Sequence, residues 1–297
     1  MTSRDALVHD NGFDRVSLTF AYFDRRSSVL ILHNPKCAST SLRTFCALTE
    51  GIDVSKVCDE AIFGEVRWEQ AIYSILLAND WRNLIEEDRS EVILSDTIRK
   101  VGIIRDPAAR AWSAWLSKVA VREPAFRYLC PRSASYSTSE WLFRLRDLPS
   151  ALAEFERFAL DLADGSPASS DPHFAPQVEV FRDFLTLAEF VDITQVDRLL
   201  AQLESHHPGT PPTPPLNESG FGTPLNQFTE ATTAALSDFY GSDYSHFGFE
   251  RERAGSSSSP SSEEWLDFMP SVEMRVRHAQ RLAVTADALA QLRGEST

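Results

Sequence analysis

The stretch Val29-Leu30-Ile31-Leu32-His33-Asn34-Pro35-Lys36-Cys37-Ala38-Ser39-Thr40-Ser41-Leu42 decides how this chain is read. Its first four residues are apolar and two of them are β-branched, the pattern of a short buried strand. His33-Asn34-Pro35 ends the strand, because proline has no N–H to give to a ladder. From Ser39 the text turns helical: Ser39 or Thr40 can cap, and Leu42, Phe45, Cys46 and Leu48 share one face. Between strand and helix lie a lysine, small residues and hydroxyls. Small residues let backbone N–H groups approach a ligand, the helix N-terminus adds partial positive charge, and the lysine neutralises bridging oxygens, so the stretch suits an anion cradle. A Walker loop needs an earlier glycine and a Gly-Lys-Ser/Thr ending, and neither is present, which disfavours an ordinary ATPase. Taken alone, the stretch reads equally as a strand–turn–helix connection with an incidental lysine.

A second apolar run, Lys100-Val101-Gly102-Ile103-Ile104, ends at Arg105-Asp106-Pro107, an N-cap followed by proline at the first helical position. Arg105 thus stands at a strand's carboxyl end, where open α/β sheets bind ligands, and Ser113 follows eight residues later on the next helix. An arginine fork and a hydroxyl suit a phosphate monoester; the plainer reading is a surface Arg–Asp pair and a solvent-facing serine. That helix carries Ala111, Trp112, Ala114, Trp115 and Leu116 as core candidates. Glu189-Phe190-Val191-Asp192-Ile193 predicts a third strand, with Thr194 capping a helix over 195–204. Further helical text covers 60–88, 139–163 and 229–240, and the aromatic end 239–249 reads as core capping.

These elements predict an α/β fold, a P-loop-like three-layer domain with a central, mainly parallel sheet over 1–250. Five prolines in 208–215 mark an extended loop, and 251–264, Ser-rich and charged, read as a linker. A C-terminal helical tail is expected over 265–297, with Pro270 marking the helix start. Its stripe, Val272, Val276, Ala279, Ala283 and Ala286, leaves two partners open: a second copy, giving a homodimer, or its own domain.

The chain has 297 residues and a formal net charge of −14, which argues against nucleic acid and anionic membranes as partners. No apolar run reaches the ~20 residues of a membrane span, and residues 1–15 lack a secretory signal pattern. Cys37, Cys46, Cys58 and Cys130 show no paired spacing, so reduced thiols, a cytoplasmic location and no metal site are expected.

Together the first two stretches resemble sulfotransferases that use 3′-phosphoadenosine 5′-phosphosulfate (PAPS): the first looks like their 5′-phosphosulfate loop, the second like their 3′-phosphate motif. Asp171-Pro172-His173-Phe174-Ala175-Pro176-Gln177, Pro215-Leu216-Asn217-Glu218-Ser219 and the closing segment from Leu236 to Phe249 are similar, in order, to segments of the carbohydrate branch, sulfotransferase family 2. The resemblance implies transfer of a sulfuryl group from PAPS to a hydroxyl of a small-molecule or carbohydrate acceptor, with 3′,5′-ADP as product and no metal. It assigns Lys36 to the phosphosulfate bridge, Cys37, Ala38, Ser39, Thr40 and Ser41 to the 5′ end, and Arg105 and Ser113 to the 3′-phosphate. Cys37-Ala38-Ser39 departs from the commoner glycine-containing loop. Asn217 and Ser219 are candidates to close over the nucleotide, with a plain Pro-rich connector as the alternative.

A general base is expected for the acceptor hydroxyl. No histidine lies between Lys36 and Arg105, where several relatives place theirs. His173 is the first candidate, His33 the second, and Glu65, Glu69 or Asp96 the third. Arg99 and Lys100 are read as local positive charge near the cleft, with an exposed strand edge as the alternative, and Arg110 as structural, pairing with an acid near its helix start. Two other classes compete: a small-molecule kinase with a degenerate phosphate loop, and a non-catalytic nucleotide-binding module. The kinase needs a metal-binding acid after a strand, and Asp192 and Asp96 are poorly placed for that role.

Overall fold

The computed structural model describes residues 21–51, 89–130, 133, 135–213, 221–249 and 260–293. In chain order its main elements begin with strand β1 (Ala21–Asp24), strand β2 (Val29–His33) and helix α1 (Ser39–Thr49). Helix α2 (Arg89–Leu94), strand β3 (Arg99–Ile104) and helix α3 (Pro107–Ala114) follow, and α3 runs on into a π-helical segment, Trp115–Ala120. Then come α4 (Thr138–Arg144), α5 (Leu148–Ala163), α6 (Gln177–Val180), strand β4 (Glu189–Asp192) and α7 (Val196–Glu204). The chain closes with α8 (Glu230–Phe239), α9 (Gly241–Phe247) and α10 (Ser262–Arg293). The predicted helical text over 60–88 lies outside the described residues.

The chain divides into two compact units, Met1–Arg105 with Gln177–Glu218, and Asp106–Pro176 with Ser219–Thr297. The first unit holds a four-stranded mixed sheet in the order β1-β2-β3-β4. All three predicted strands are present and run parallel to one another. β2 is buried at every position and β3 at all but its first, as strands covered on both faces require, whereas every residue of the edge strand β4 is partly or fully exposed. The sequence reading missed β1, which pairs antiparallel with β2 at the sheet edge. Its four residues, Ala-Tyr-Phe-Asp, carry only a weak alternation, with Tyr22 and Asp24 facing inward. Asp24 is held by both carboxylate oxygens to His207 Nε2 at 3.0 Å, which ties β1 to the turn after α7. Leu42, Phe45 and Cys46 of α1 and Leu199, Leu200 and Leu203 of α7 form the core of this unit with Ile31, Val101 and Ile103.

In the register of β2 and β3, His33 lies opposite Ile103. The two strands therefore finish nearly level, and the loop after His33 emerges from the same carboxyl end of the sheet as Arg105. Asp192, not Thr194, caps the turn after β4: its carboxylate accepts the Thr194 N–H at 2.9 Å, and a short 3-10 turn precedes α7.

The second unit is helical around a core of Trp112, Trp115, Trp141, Phe155, Phe158, Tyr240 and Trp265. The helical text over 139–163 forms two helices, α4 and α5. Asp147 accepts the Ser150 N–H at 2.8 Å and Pro149 occupies the first turn, which starts a new helix at Leu148. Tyr240 and Tyr244 join the core, with Phe239 and Phe249 packed against it. Helix α10 begins at Ser262, so Pro270 lies inside it and does not mark its start. Val272, Val276 and Ala279 are buried within this unit, so that part of the stripe is covered by the chain itself and not presented to a second copy. Among the described residues no helix is long and apolar enough to cross a membrane.

Gly102 has the least room of the described glycines. A methyl group there would run into the Phe190 ring, which lies across it from β4. Overpacking a buried sheet position costs about 2 kcal/mol. Gly102→Ala is expected to lower the urea-unfolding free energy by about that amount, and Phe190→Leu in the same chain is expected to restore part of it. An unchanged midpoint for Gly102→Ala would count against this packing.

Candidate active site

The loop between β2 and α1 is a turn followed by an uncapped helix. The Cys37 N–H donates to the Asn34 carbonyl at 3.0 Å, closing a four-residue turn with Pro35 second and Lys36 third. Lys36 has φ 69°, as the third residue of a type II turn requires. Ala38 repeats the left-handed backbone, with φ 54° and ψ 22°. Glycine is the usual residue for such conformations; a side chain there costs on the order of 1 kcal/mol. Alternating backbone hands turn successive N–H groups toward one point, the geometry of an anion nest.

Ala38 is also the N-cap of α1, and no side chain caps that helix. The first bond inside the helix runs from the Leu42 N–H to the Ala38 carbonyl at 3.1 Å, so the amides of Ser39, Thr40 and Ser41 lie ahead of it. No acidic residue occupies the first turn to neutralise the helix dipole. Neither Ser39 nor Thr40 caps the helix; both lie inside it.

Arg105 joins this loop from the end of β3: its Nη1 donates to the Lys36 carbonyl at 3.2 Å. Gln177, fully buried, holds the main chain of Arg105 on both sides. The Arg105 N–H donates to Gln177 Oε1 at 3.0 Å, and Gln177 Nε2 donates to the Arg105 carbonyl at 2.8 Å. The same Oε1 accepts the Cys37 thiol at 3.6 Å. The structure thus brings Lys36, Cys37, Ala38, Ser39, Thr40, Ser41 and Arg105 together in the first unit. Gln177 was visible in the sequence as the end of the 171–177 segment, but no polar spacing there announced its partners.

Ser113 and His173 belong to the second unit. Ser113 is half-buried near the end of α3, whose N-cap Asp106 accepts the Ala109 N–H at 2.8 Å. His173 sits in a loop held by Arg110. The buried Arg110 guanidinium donates to the carbonyls of Pro172, His173, Phe174 and Ala175, and Tyr240 Oη donates to the Phe174 carbonyl at 2.6 Å. Asp171 orients the imidazole: His173 Nδ1 lies 2.8 Å from Asp171 Oδ1, and the His173 N–H donates to the same oxygen. Tyr128 Oη donates to Asp171 Oδ2 at 2.6 Å. Burial raises the Asp171 pKa, but the bonds from His173 and Tyr128 outweigh it and hold the carboxyl below its ordinary value. Phe126 packs edge-on against the His173 ring at 4.9 Å.

Other candidates fall elsewhere. Glu65, Glu69, Asn217 and Ser219 lie outside the described residues. Arg99 and Lys100 open β3 at the end opposite Arg105, so they do not charge the loop end of the sheet. Arg99 pairs with Glu189, and the buried Lys100 Nζ donates to the Ser95 and Ile98 carbonyls. Asp96, exposed, precedes that same amino end. Among the described residues no group of three His, Cys, Asp or Glu side chains is placed to hold a metal ion.

Strand, loop, helix and an arginine at the next parallel strand's end give the first unit an arrangement suited to an anion. A model of the sulfotransferase family matches residues 20–203, well over half of the chain, and the chain belongs to that family. Comparison with curated proteins and with solved structures gives no match. The match spans β1 to α7 and includes the loop, Arg105, His173 and Gln177.

His33, at the end of β2, is buried. Burial foremost, then the positive charge of Arg43, lowers its pKa from 6.5 to about 3. Below pH 6.5 the unfolded chain binds a proton at His33 that the folded chain refuses until pH falls through about 3. The stabilising contribution is therefore complete above that window and is lost as pH falls through it. His33→Gln is expected to flatten the fall of unfolding free energy between about pH 6 and pH 4, by up to about 1.4 kcal/mol per pH unit. Parallel wild-type and variant slopes in urea titrations would contradict the buried neutral imidazole.

Proposed function

We propose that the protein transfers a sulfuryl group from PAPS to a hydroxyl of a neutral small molecule or sugar. The observation that carries this reading is the uncapped α1 N-terminus, preceded by left-handed Lys36 and Ala38, in a chain of the sulfotransferase family. Bound PAPS supplies a sulfuryl group on a good phosphate leaving group. The amides of residues 38–41 and the Lys36 ammonium hold the 5′ end and stabilise the charge that grows on the leaving phosphate, while the Cys37 N–H is taken by the turn bond to the Asn34 carbonyl. Arg105 takes the 3′-phosphate through its guanidinium fork, and Ser113 is assigned to the same phosphate by the motif it shares with Arg105. The departure from glycine in the loop keeps the cradle accessible, because Ala38 and Ser39 are small.

In the transfer, the acceptor oxygen forms a bond to sulfur as the sulfur–oxygen bond to the phosphate breaks, and the acceptor proton passes to a base. His173 is the base in this proposal. With Nδ1 directed at the Asp171 carboxylate, the ring carries its proton on Nδ1 and accepts at Nε2. His33 is less suited, since a buried imidazole lowered to about 3 takes up no proton near neutral pH. The net charge of −14 supports a neutral acceptor over a polyanionic glycan.

Purified protein with PAPS and a panel of hydroxylated metabolites and neutral sugars is expected to release 3′,5′-ADP and give a product heavier by one sulfate. Lys36→Ala is expected to lower turnover about a hundredfold while 3′,5′-ADP binding changes far less. Arg105→Ala is expected to raise the donor KM about tenfold or more, and His173→Ala to lower turnover about a hundredfold. Absence of 3′,5′-ADP release with every acceptor, together with no calorimetric binding of 3′,5′-ADP, would defeat the proposal.

A further inference from the structure

We propose that Gln177 is a positioning residue for donor recognition, fixing Arg105 against the phosphate loop. The inference rests on the reading of Arg105 as the 3′-phosphate ligand and adds a residue that reading does not use. A single buried amide engages both polar groups of the Arg105 main chain, accepting its N–H at 3.0 Å and donating to its carbonyl at 2.8 Å. This is the paired pattern a neighbouring strand would offer, supplied by a side chain just where β3 ends at Ile104. The same Oε1 receives the Cys37 thiol from the phosphate loop at 3.6 Å, so one oxygen touches both halves of the donor site. Arg105 closes the circuit through its own Nη1 to the Lys36 carbonyl. Gln177 is 0% exposed, and in such surroundings water does not replace a lost partner. Without the amide, the Arg105 main chain loses both of these bonds, and a guanidinium displaced by an ångström loses a bidentate phosphate contact.

The test is calorimetric binding of 3′,5′-ADP and of 5′-AMP to the full chain. The ratio of the two affinities isolates the 3′-phosphate. Gln177→Leu, similar in size but without the amide, is expected to shrink that ratio about tenfold. Gln177→Glu keeps the acceptor oxygen and loses the Nε2 donor, and is expected to shrink it less; it also serves if the leucine variant lacks a cooperative thermal transition. Gln177→Leu combined with Arg105→Ala should lose no more of the ratio than Arg105→Ala alone. Equal weakening of both nucleotides, or full additivity with Arg105→Ala, marks a merely structural glutamine and overturns the inference. A wild-type protein that does not prefer 3′,5′-ADP over 5′-AMP overturns the PAPS reading itself, and the inference with it.

Discussion

Two residues with left-handed backbone, Lys36 and Ala38, hold the turn on which the candidate site depends. Neither is glycine, so each costs on the order of 1 kcal/mol that the surroundings must offset. The offset comes from the buried strand β2 on one side and from α1 on the other, whose Leu42, Phe45 and Cys46 anchor in the core. What the strain secures is an open helix N-terminus: no side chain caps α1, and no acid neutralises its first turn. A helix end left in that state is an anion site in waiting.

The same physics governs the other elements of the site. β2 and β3 end level, so the loop and Arg105 leave the sheet at its carboxyl end. Gln177 then ties Arg105 by its main chain and leaves the side chain to the loop. In the second unit Arg110 works in a comparable way, gathering the carbonyls that flank His173, while Asp171 sets the ring's orientation. Two buried polar side chains thus do the positioning, and the residues expected to touch ligand sit on the loops they hold. The net charge of −14 does not oppose a polyanionic donor, because the cations and amides that would meet it are local.

β2 and β3 were legible in the sequence because buried strands read as unbroken apolar runs, and the partly exposed β4 was legible from its Phe190-Val191 pair before a capping aspartate. β1 was not, since a four-residue edge strand carries too few alternations to rise above its neighbours. The break at Leu145–Asp147 was written in Asp147 and Pro149, but the hydrophobic period on either side reads as one helix. Pro270 misled in the opposite direction: a helix tolerates proline where packing of Trp265, Val272 and Val276 holds the flanking turns. In the site, Lys36, Arg105 and the small loop residues were recognisable by type and spacing. Arg110 was read as structural, but its partners and the role of Gln177 were not legible, because most of their hydrogen bonds go to main-chain groups, which leave no trace in residue identity. Arg99 and Lys100 looked like donor-site cations, yet register places them at the far end of β3.

The central claim is that the amides opening α1 are the phosphate cradle. The most direct measurement is amide-resolved NMR of the isotope-labelled protein during titration with 3′,5′-ADP. The account predicts that the backbone amides of Ala38 through Ser41 shift most, together with that of Arg105. Saturable binding that leaves those amides unmoved and shifts others would contradict it.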